Sequence, residues 1–263
     1  MSKIFLSLLL LMFSSFALAG SICDKISSKQ PRPPLEIEDG IICFEEMTKI
    51  STAGIIYKQW TTVYFIPHEQ KPETFNKRLH LSHVEGVIVD AFILNFDAGE
   101  KGGVVLIFAE KVLHPDPGSS DTIYSVQVFT QNIITSKSNE KMLDYNRRAS
   151  GWLGYDFSWY SDEHKIIYKF PYMTQKSIRE ALHSPYAPLM LRDEIIPVIV
   201  KRKSHLYEYS GVHGKTKKYL IAGDEATVDE YKKGWCRVNY SGGKKPLQMW
   251  MMCDALEPDT GKQ

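Results

Sequence analysis

The C-terminal stretch from 217 to 256 constrains the fold of this chain more than any other part. A short apolar run at 219–221 ends in a turn at Asp224, and an alternating run follows at 235–240. A Gly-Gly-Lys-Lys-Pro loop then leads to a last apolar run that carries Trp250. Several short strands separated by turn residues at close spacing are typical of a small closed β barrel. We therefore expect a chain that is mainly β and ends in a barrel.

Eight residues of this stretch follow a known order: Tyr219, Gly223, Asp224, Gly234, Trp235, Val238, Tyr240 and Trp250. They resemble the bacterial SH3-type (SH3b-like) family, in which a YLxxGD…V opening precedes GWCxVxY and a final short helical turn. Met249 stands where that family usually has glycine. The resemblance covers roughly Ile196 to Leu256. It implies an SH3-like barrel with a groove between loops, where aromatic side chains meet a peptide or a cell-wall fragment.

The groove candidates that the resemblance implies are aromatic: Tyr207, Tyr209, Trp235, Tyr240 and Trp250. Strands that begin with Gly-Trp pack inward in this family, so Trp235 and Trp250 are expected in the core or at its edge. Tyr207 and Tyr209 precede a loop and are the better groove candidates.

The N-terminus has the pattern of a secretory signal peptide. Lys3 supplies the positive start, 4–16 form an uncharged apolar core, and Ala17-Leu18-Ala19 gives a small-x-small cleavage site. The apolar run is shorter than the roughly 20 residues of a membrane span, so we expect cleavage after 1–19 rather than an uncut anchor. We also expect no lipid anchor, because the cysteine that one requires does not follow the small residues directly. An exported, most simply periplasmic, protein without a stable membrane anchor is predicted.

The charge and the cysteines agree with export. The formal net charge of +1 falls to zero once Lys3 is removed, which does not favour a nucleic-acid partner. Four cysteines in an exported chain indicate two disulfides with three possible pairings, or buried free thiols as the alternative. We expect pairing within segments, Cys23–Cys43 and Cys236–Cys253, because Cys23 and Cys43 flank a proline-rich segment and the other two lie on neighbouring strands.

Residues 20–193 are predicted to form a β-rich N-terminal domain, followed by the barrel at 194–258 and a tail at 259–263. Nearly unbroken apolar runs at 87–94 and 104–109 indicate strands covered on both faces. Thr174 is a good N-cap, so the one helix that we expect in this domain runs from Gln175 to His183.

Candidate binding residues in this domain lie just before an aromatic segment. Arg147, Arg148 and Trp152 are of types enriched in binding sites. The following Tyr155, Phe157 and Trp159 alternate with polar neighbours and are expected to form one buried strand face. Alternatively, these three side chains belong to the same binding surface.

Catalytic and metal motifs are not recognised in the sequence. There is no G-x-S-x-G, no P-loop and no Rossmann fingerprint. His80 and His83 fall on a strand pattern, where positions three apart face opposite ways. We therefore expect no metal, no cofactor and no catalytic activity.

Three functions are compatible with these features. The first is a non-enzymatic binding protein that recognises an envelope protein or a peptidoglycan fragment. The second is an immunity or inhibitor protein that neutralises a secreted toxin or hydrolase. The third is a cell-wall hydrolase that uses the SH3-type barrel as a targeting module.

Overall fold

The computed structural model describes residues 22–27, 30–50, 52, 54, 56–68, 79–94, 103–112, 117–130, 140–192, 194–243 and 245–259. The predicted signal segment at 1–19 lies outside these residues. The chain divides into two compact units. One contains Met1–Lys111 and Val128–Leu143, and the other contains Val112–Gln127 and Asp144–Gln263. The domain boundary that the sequence places near Asp193 stays a prediction.

The first unit begins with an antiparallel sheet of four strands in sequential order. Its strands are β1 (Leu35–Ile37), β2 (Gly40–Ile50), β3 (Ile56–Pro67) and β4 (Leu79–Glu85). The antiparallel pair β5 (Val87–Leu94) and β6 (Gly103–Lys111) follows. Apolar side chains from both sets share a core that includes Phe44, Phe65 and Phe108. A disulfide between Cys23 and Cys43 fastens the turn at 22–27 to β2.

We predicted that β5 and β6 are each buried on both faces, and the burial of their side chains agrees with this only in part. The first six residues of β6 are all buried, as the unbroken apolar run predicted. In β5, by contrast, Ile93 is 39% exposed. An apolar run therefore predicted the strand correctly but not its covering, because burial depends on what packs against each face.

In the second unit, a series of short strands and helices precedes the main sheet. These elements are β7 (Thr122–Thr130), α1 (Glu140–Leu153), β8 (Tyr155–Asp156), β9 (Trp159–Tyr160), β10 (Ile166–Tyr168), α2 (Gln175–Leu182) and α3 (Ala187–Arg192). The end of β7 and the start of α1 belong to the first unit. Strand β8 pairs with Tyr124 and Ser125 of β7, and β9 pairs with β10.

The C-terminal part of this unit is a seven-stranded antiparallel sheet in the order β13-β12-β16-β15-β14-β11-β17. Its strands are β11 (Ile196–Val200), β12 (Ser204–Tyr207), β13 (Lys215–Leu220), β14 (Glu225–Lys232), β15 (Trp235–Tyr240), β16 (Leu247–Met252) and β17 (Leu256–Pro258). A 3₁₀ turn, Cys253–Ala255, lies between β16 and β17. The inward side chains, among them Leu206, Val228 and Met251, form one core.

The second disulfide joins Cys236 in β15 to Cys253 in the 3₁₀ turn, with 5.1 Å between the Cα atoms. Both disulfides therefore have the pairing expected from the sequence. Disulfides are typical of proteins that mature in an oxidising compartment. The mainly β fold is confirmed. Among the described residues, no helix combines the length and the apolar character that a membrane crossing needs.

Two local predictions were wrong. We expected one helix before the barrel, yet α1 and α3 are helical as well as α2. We also expected a single buried face from Tyr155, Phe157 and Trp159, but Tyr155 is 64% exposed and Phe157 lies between strands. The strands β8 and β9 have two residues each, too short for alternation to define a face.

Candidate functional site

A cleft of about 330 Å³ lies within the second unit, between the end of α1 and strand β14. Ligand pockets commonly begin at about this volume. Eight residues line it: Arg148, Gly151, Trp152, Leu189, Asp229, Glu230, Tyr231 and Lys232. Two of them, Arg148 and Trp152, were candidates from the sequence. The cleft therefore combines a predicted helical wall with a strand wall that the sequence did not indicate.

The helical wall is set by the packing of α1. Asn146, Ala149, Trp152 and Leu153 are buried, and their spacing of three and four residues places them on one helix face. Arg148 and Gly151 are exposed because they fall outside that face. Trp152 is only 5% exposed, so its indole is held in place at the base of the cleft.

Aromatic rings form the base of the cleft and support one another. The ring of Trp152 meets that of Tyr231 edge to face, with centroids 5.2 Å apart. The Tyr186 ring stacks on that of Tyr231, with centroids 5.4 Å apart. The Tyr172 hydroxyl donates a hydrogen bond of 2.9 Å to that of Tyr231. This cluster fixes Tyr231 from two sides and gives the cleft a rigid aromatic base.

Burial keeps these tyrosines neutral. It raises the pKa of Tyr172, and the adjacent Tyr231 raises it further. Burial likewise raises the pKa of Tyr186 and of Tyr231. The charges of the cleft therefore come from its rim and not from the aromatic base.

The acidic part of the rim is ordered by an arginine. The regular pairing of β14 with β15 is interrupted between Val228 and Glu230, so Asp229 occupies an irregular position. Arg237 Nε donates to Asp229 Oδ1 at 2.8 Å, and its Nη1 lies 2.7 Å from Glu230 Oε2. Gln248 Nε2 donates to the other Asp229 oxygen at 3.0 Å.

These contacts also govern the charge of Asp229. Partial burial alone would raise the pKa of Asp229, but the hydrogen bond and the positive charge of Arg237, with the hydrogen bond from Gln248, outweigh it and lower the pKa. Asp229 therefore stays ionised at neutral pH. The strand wall presents fixed negative charge.

Cations complete the rim. Arg148 on α1 and Lys232 at the end of β14 are both exposed and line the same cleft. The buried Nε1 of Trp152 has no hydrogen-bond partner in the described part of the chain. A ligand here would meet an aromatic surface between charges of both signs. Such a set of groups suits a short peptide segment or an amino-acid derivative.

The other predicted residues lie outside the cleft. Trp235 is 2% exposed, and its ring lies 4.8 Å from that of Tyr207 and 6.3 Å from that of Tyr168. Tyr209 is 52% exposed, and Arg147 is also exposed. The structure thus brings Tyr207 and Trp235 together, with the ring of Tyr168 also beside Trp235.

Two further aromatic candidates are engaged elsewhere in the sheet. The Tyr240 hydroxyl donates to Asp224 Oδ1 at 3.3 Å. The Arg237 guanidinium lies 6.0 Å from the centre of the Trp250 ring, and Trp250 is directly opposite Tyr207 in the register of β16 and β12. Of the five aromatic candidates, Tyr207 thus lies beside Trp235 and opposite Trp250, and the groove that the resemblance implies stays a prediction.

Sequence reasoning missed the strand wall of the cleft. The signal was present as the run Asp229-Glu230-Tyr231-Lys232 before the turn at Gly234. Nothing in the run indicates that α1 packs opposite it.

The histidine pair has a structural role as far as it is described. His83 Nδ1 lies 2.9 Å from Thr62 Oγ1 across β3 and β4, whereas the His80 side chain lies outside the described residues. Within the described ranges, no group of three or more His, Cys, Asp and Glu residues is arranged to hold a metal ion.

No protein-family model matches the chain, and comparisons with curated proteins and with solved structures give no significant match.

Proposed function

We propose that this protein is an exported, non-enzymatic binding protein that holds a short peptide bearing both a carboxylate and an ammonium group in the cleft between α1 and β14. The observation that carries the proposal is the aromatic base of Trp152 and Tyr231 between charges of both signs. A rigid aromatic surface with few ordered polar groups is the usual composition of a ligand site.

The charged rim supports a ligand that carries both signs. Asp229 and Glu230 are held by Arg237 and would attract an ammonium group. Arg148 and Lys232 would attract a carboxylate. Peptidoglycan peptides and exposed segments of envelope proteins both offer this chemistry, and they are the two sources that we propose.

The proposed location is the periplasm. Two disulfides favour an oxidising compartment, and the N-terminal pattern favours export. The C-terminal sheet supports the proposed SH3-type assignment, because a short helical turn, Cys253–Ala255, follows the strand that carries Trp250. A barrel of that family would present the strand wall of the cleft on a stable frame.

Binding to purified sacculi and to envelope extract tests the function. We expect the mature protein to be retained on one of the two. The double variant Arg148→Glu, Lys232→Glu should reduce retention at least about tenfold, because it replaces the two cations that would hold the ligand carboxylate. A tenfold loss corresponds to about 1.4 kcal/mol of binding free energy. Lys217→Glu, on exposed β13, is the control and should bind as the unaltered protein does.

Three outcomes would contradict the proposal. Retention on neither material would remove the binding function, and equal retention of the double variant would exclude the cleft as the site. Clearing of wall substrate in a zymogram would indicate a hydrolase. Thermal unfolding of each variant separates loss of binding from loss of fold.

A further inference from the structure

The outer face of β11 is apolar where a solvent-facing strand is usually polar. Along 196–200, buried and exposed residues alternate strictly. The inward Ile196, Val198 and Val200 belong to the core. Outward, Pro197 is exposed, Ile199 is 39% exposed and the preceding Ile195 is 63% exposed. Three consecutive outward positions are thus apolar, which is more informative than a single exposed isoleucine.

Carboxylates lie on both sides of this apolar row. In the register of the sheet, Ile199 is opposite Glu225 of β14 and opposite Glu257 of β17. Directly opposite residues in antiparallel strands share a face, and both glutamates are exposed. Neighbouring strands are about 4.8 Å apart, so the two glutamates are on the order of 10 Å from each other across Ile199.

Neither glutamate is neutralised. In the part of the chain that the structure describes, Glu225 and Glu257 take part in no ion pair and no side-chain hydrogen bond. The face made of Ile195, Pro197, Ile199, Glu225 and Glu257, which we call the β11 face, therefore exposes apolar surface together with two uncompensated negative charges.

We propose that the β11 face docks a cationic amphipathic segment of a partner protein. An apolar side chain of the partner would cover Ile199, and basic side chains on either side of it would pair with Glu225 and Glu257. Covering the row removes apolar surface from water, and the two charges fix the register and accelerate association. An anionic membrane surface is disfavoured, because the same charges would repel it.

This docking site is separate from the cleft. The cleft uses Asp229–Lys232 of β14, beyond the irregularity after Val228, whereas the β11 face uses Glu225 at the start of the strand. The proposal therefore does not rest on the proposed ligand of the cleft, and the two can succeed or fail independently.

The test uses the full mature chain and a synthetic peptide of alternating lysine and leucine residues. We expect saturable binding that weakens with salt, and at least about a tenfold loss of affinity in Glu225→Lys, Glu257→Lys. A peptide of alternating glutamate and leucine should not bind. Arg148→Glu, Lys232→Glu should bind the lysine peptide normally, which separates this site from the cleft.

A matched control accounts for general charge attraction. Asp162→Lys, Glu208→Lys makes the same change in net charge at two other exposed carboxylates and should retain affinity within about threefold. An equal loss in both double variants, or no loss in Glu225→Lys, Glu257→Lys, would overturn the proposal. Ile199→Asn, which removes only the apolar contact, should also weaken binding, and unchanged binding there would contradict the docking geometry.

A second copy of the chain is the competing occupant. Strand β13, at the other end of the sheet, exposes Lys215, Lys217 and Tyr219 on one face. Sedimentation across protein concentrations distinguishes the two. Self-association that is abolished both by Glu225→Lys, Glu257→Lys and by Lys215→Glu, Lys217→Glu would show that the β11 face binds β13 and would overturn the partner-protein proposal.

Discussion

Lys233 and Gly234 connect β14 to β15 with two consecutive residues in the left-handed region, at φ 54° and 85°. Two such residues in a two-residue hairpin match a type I′ turn, the connection that agrees with the twist of paired strands. No heavy atom lies within 4 Å of a Cβ built on Gly234. Glycine is therefore favoured here by the positive φ, and not because a side chain would lack room.

Replacing Gly234 by alanine should lower the free energy of unfolding by about 1–2 kcal/mol, because an L side chain is strained at positive φ. Gly151→Ala is the matched control. A Cβ on Gly151 also has open space, but this residue is helical, so alanine should stabilise by up to about 1 kcal/mol. Urea unfolding of both variants measures the difference, and shifts of the same sign would contradict the argument.

The buried tyrosines predict alkaline sensitivity. Burial raises the pKa of Tyr172 above the ordinary tyrosine value of 10.0, and it does the same for Tyr168, Tyr186 and Tyr231. A group whose pKa is raised by folding stabilises fully below its unfolded pKa. That contribution is lost as the pH rises above about 10. Stability should therefore fall above that pH, with tyrosinate absorbance appearing together with unfolding.

Tyr172→Phe tests the assignment. Removing this one ionisable hydroxyl should reduce the alkaline slope of the unfolding free energy by about 1.4 kcal/mol per pH unit. An unchanged slope, or tyrosinate absorbance from every tyrosine in the still-folded protein, would show that these hydroxyls ionise without unfolding.

Among the elements, α2 is the helix whose start was predicted correctly. Thr174 has extended backbone, its side chain accepts a hydrogen bond from the Ser177 amide at 3.2 Å, and Ser177 Oγ accepts from the Thr174 amide at 3.3 Å. This reciprocal pair is a capping box. Thr174→Ala should cost about 1 kcal/mol of stability, whereas Thr174→Ser should be nearly neutral. Denaturant unfolding of the two variants checks this, and equal loss in both would exclude the hydroxyl as the cause.

The helix α1 was missed because its local signals oppose its tertiary packing. Ser150 and Gly151 are of residue types that favour turns. Their positions are nevertheless helical because Ala149, Trp152 and Leu153 bury one face in the folded unit. Tertiary packing determines most helical stability in proteins. Thr174 could be recognised because a cap is a local signal, whereas the partner of Trp152 is distant in sequence.

At the scale of the whole molecule, two disulfides stabilise different parts of the chain. Cys236–Cys253 closes a sequence separation of 17 residues and Cys23–Cys43 one of 20. Their pairing could be predicted, since each joins cysteines of one segment. The cleft could not, because its walls come from α1 and β14 and only the folded chain brings them together.

Replacing Cys236 and Cys253 by serine should lower the free energy of unfolding by about 3 kcal/mol, because the unfolded chain gains the entropy of the opened loop. Cys23→Ser, Cys43→Ser should give a similar loss. Denaturant midpoints, measured with and without reductant, check both. Insensitivity of the unaltered protein to reductant under unfolding conditions would show that the bonds do not form in solution.

The two walls of the cleft differ in how freely their residues can change. Arg148 and Gly151 lie on the solvent side of a helix whose opposite face does the packing, and surface substitutions of that kind usually alter stability little. Asp229 and Glu230 are tied through Arg237 to the sheet. If the cleft binds the proposed ligand, substitutions in α1 could therefore change ligand preference while Asp229 and Glu230 of β14 stay in place.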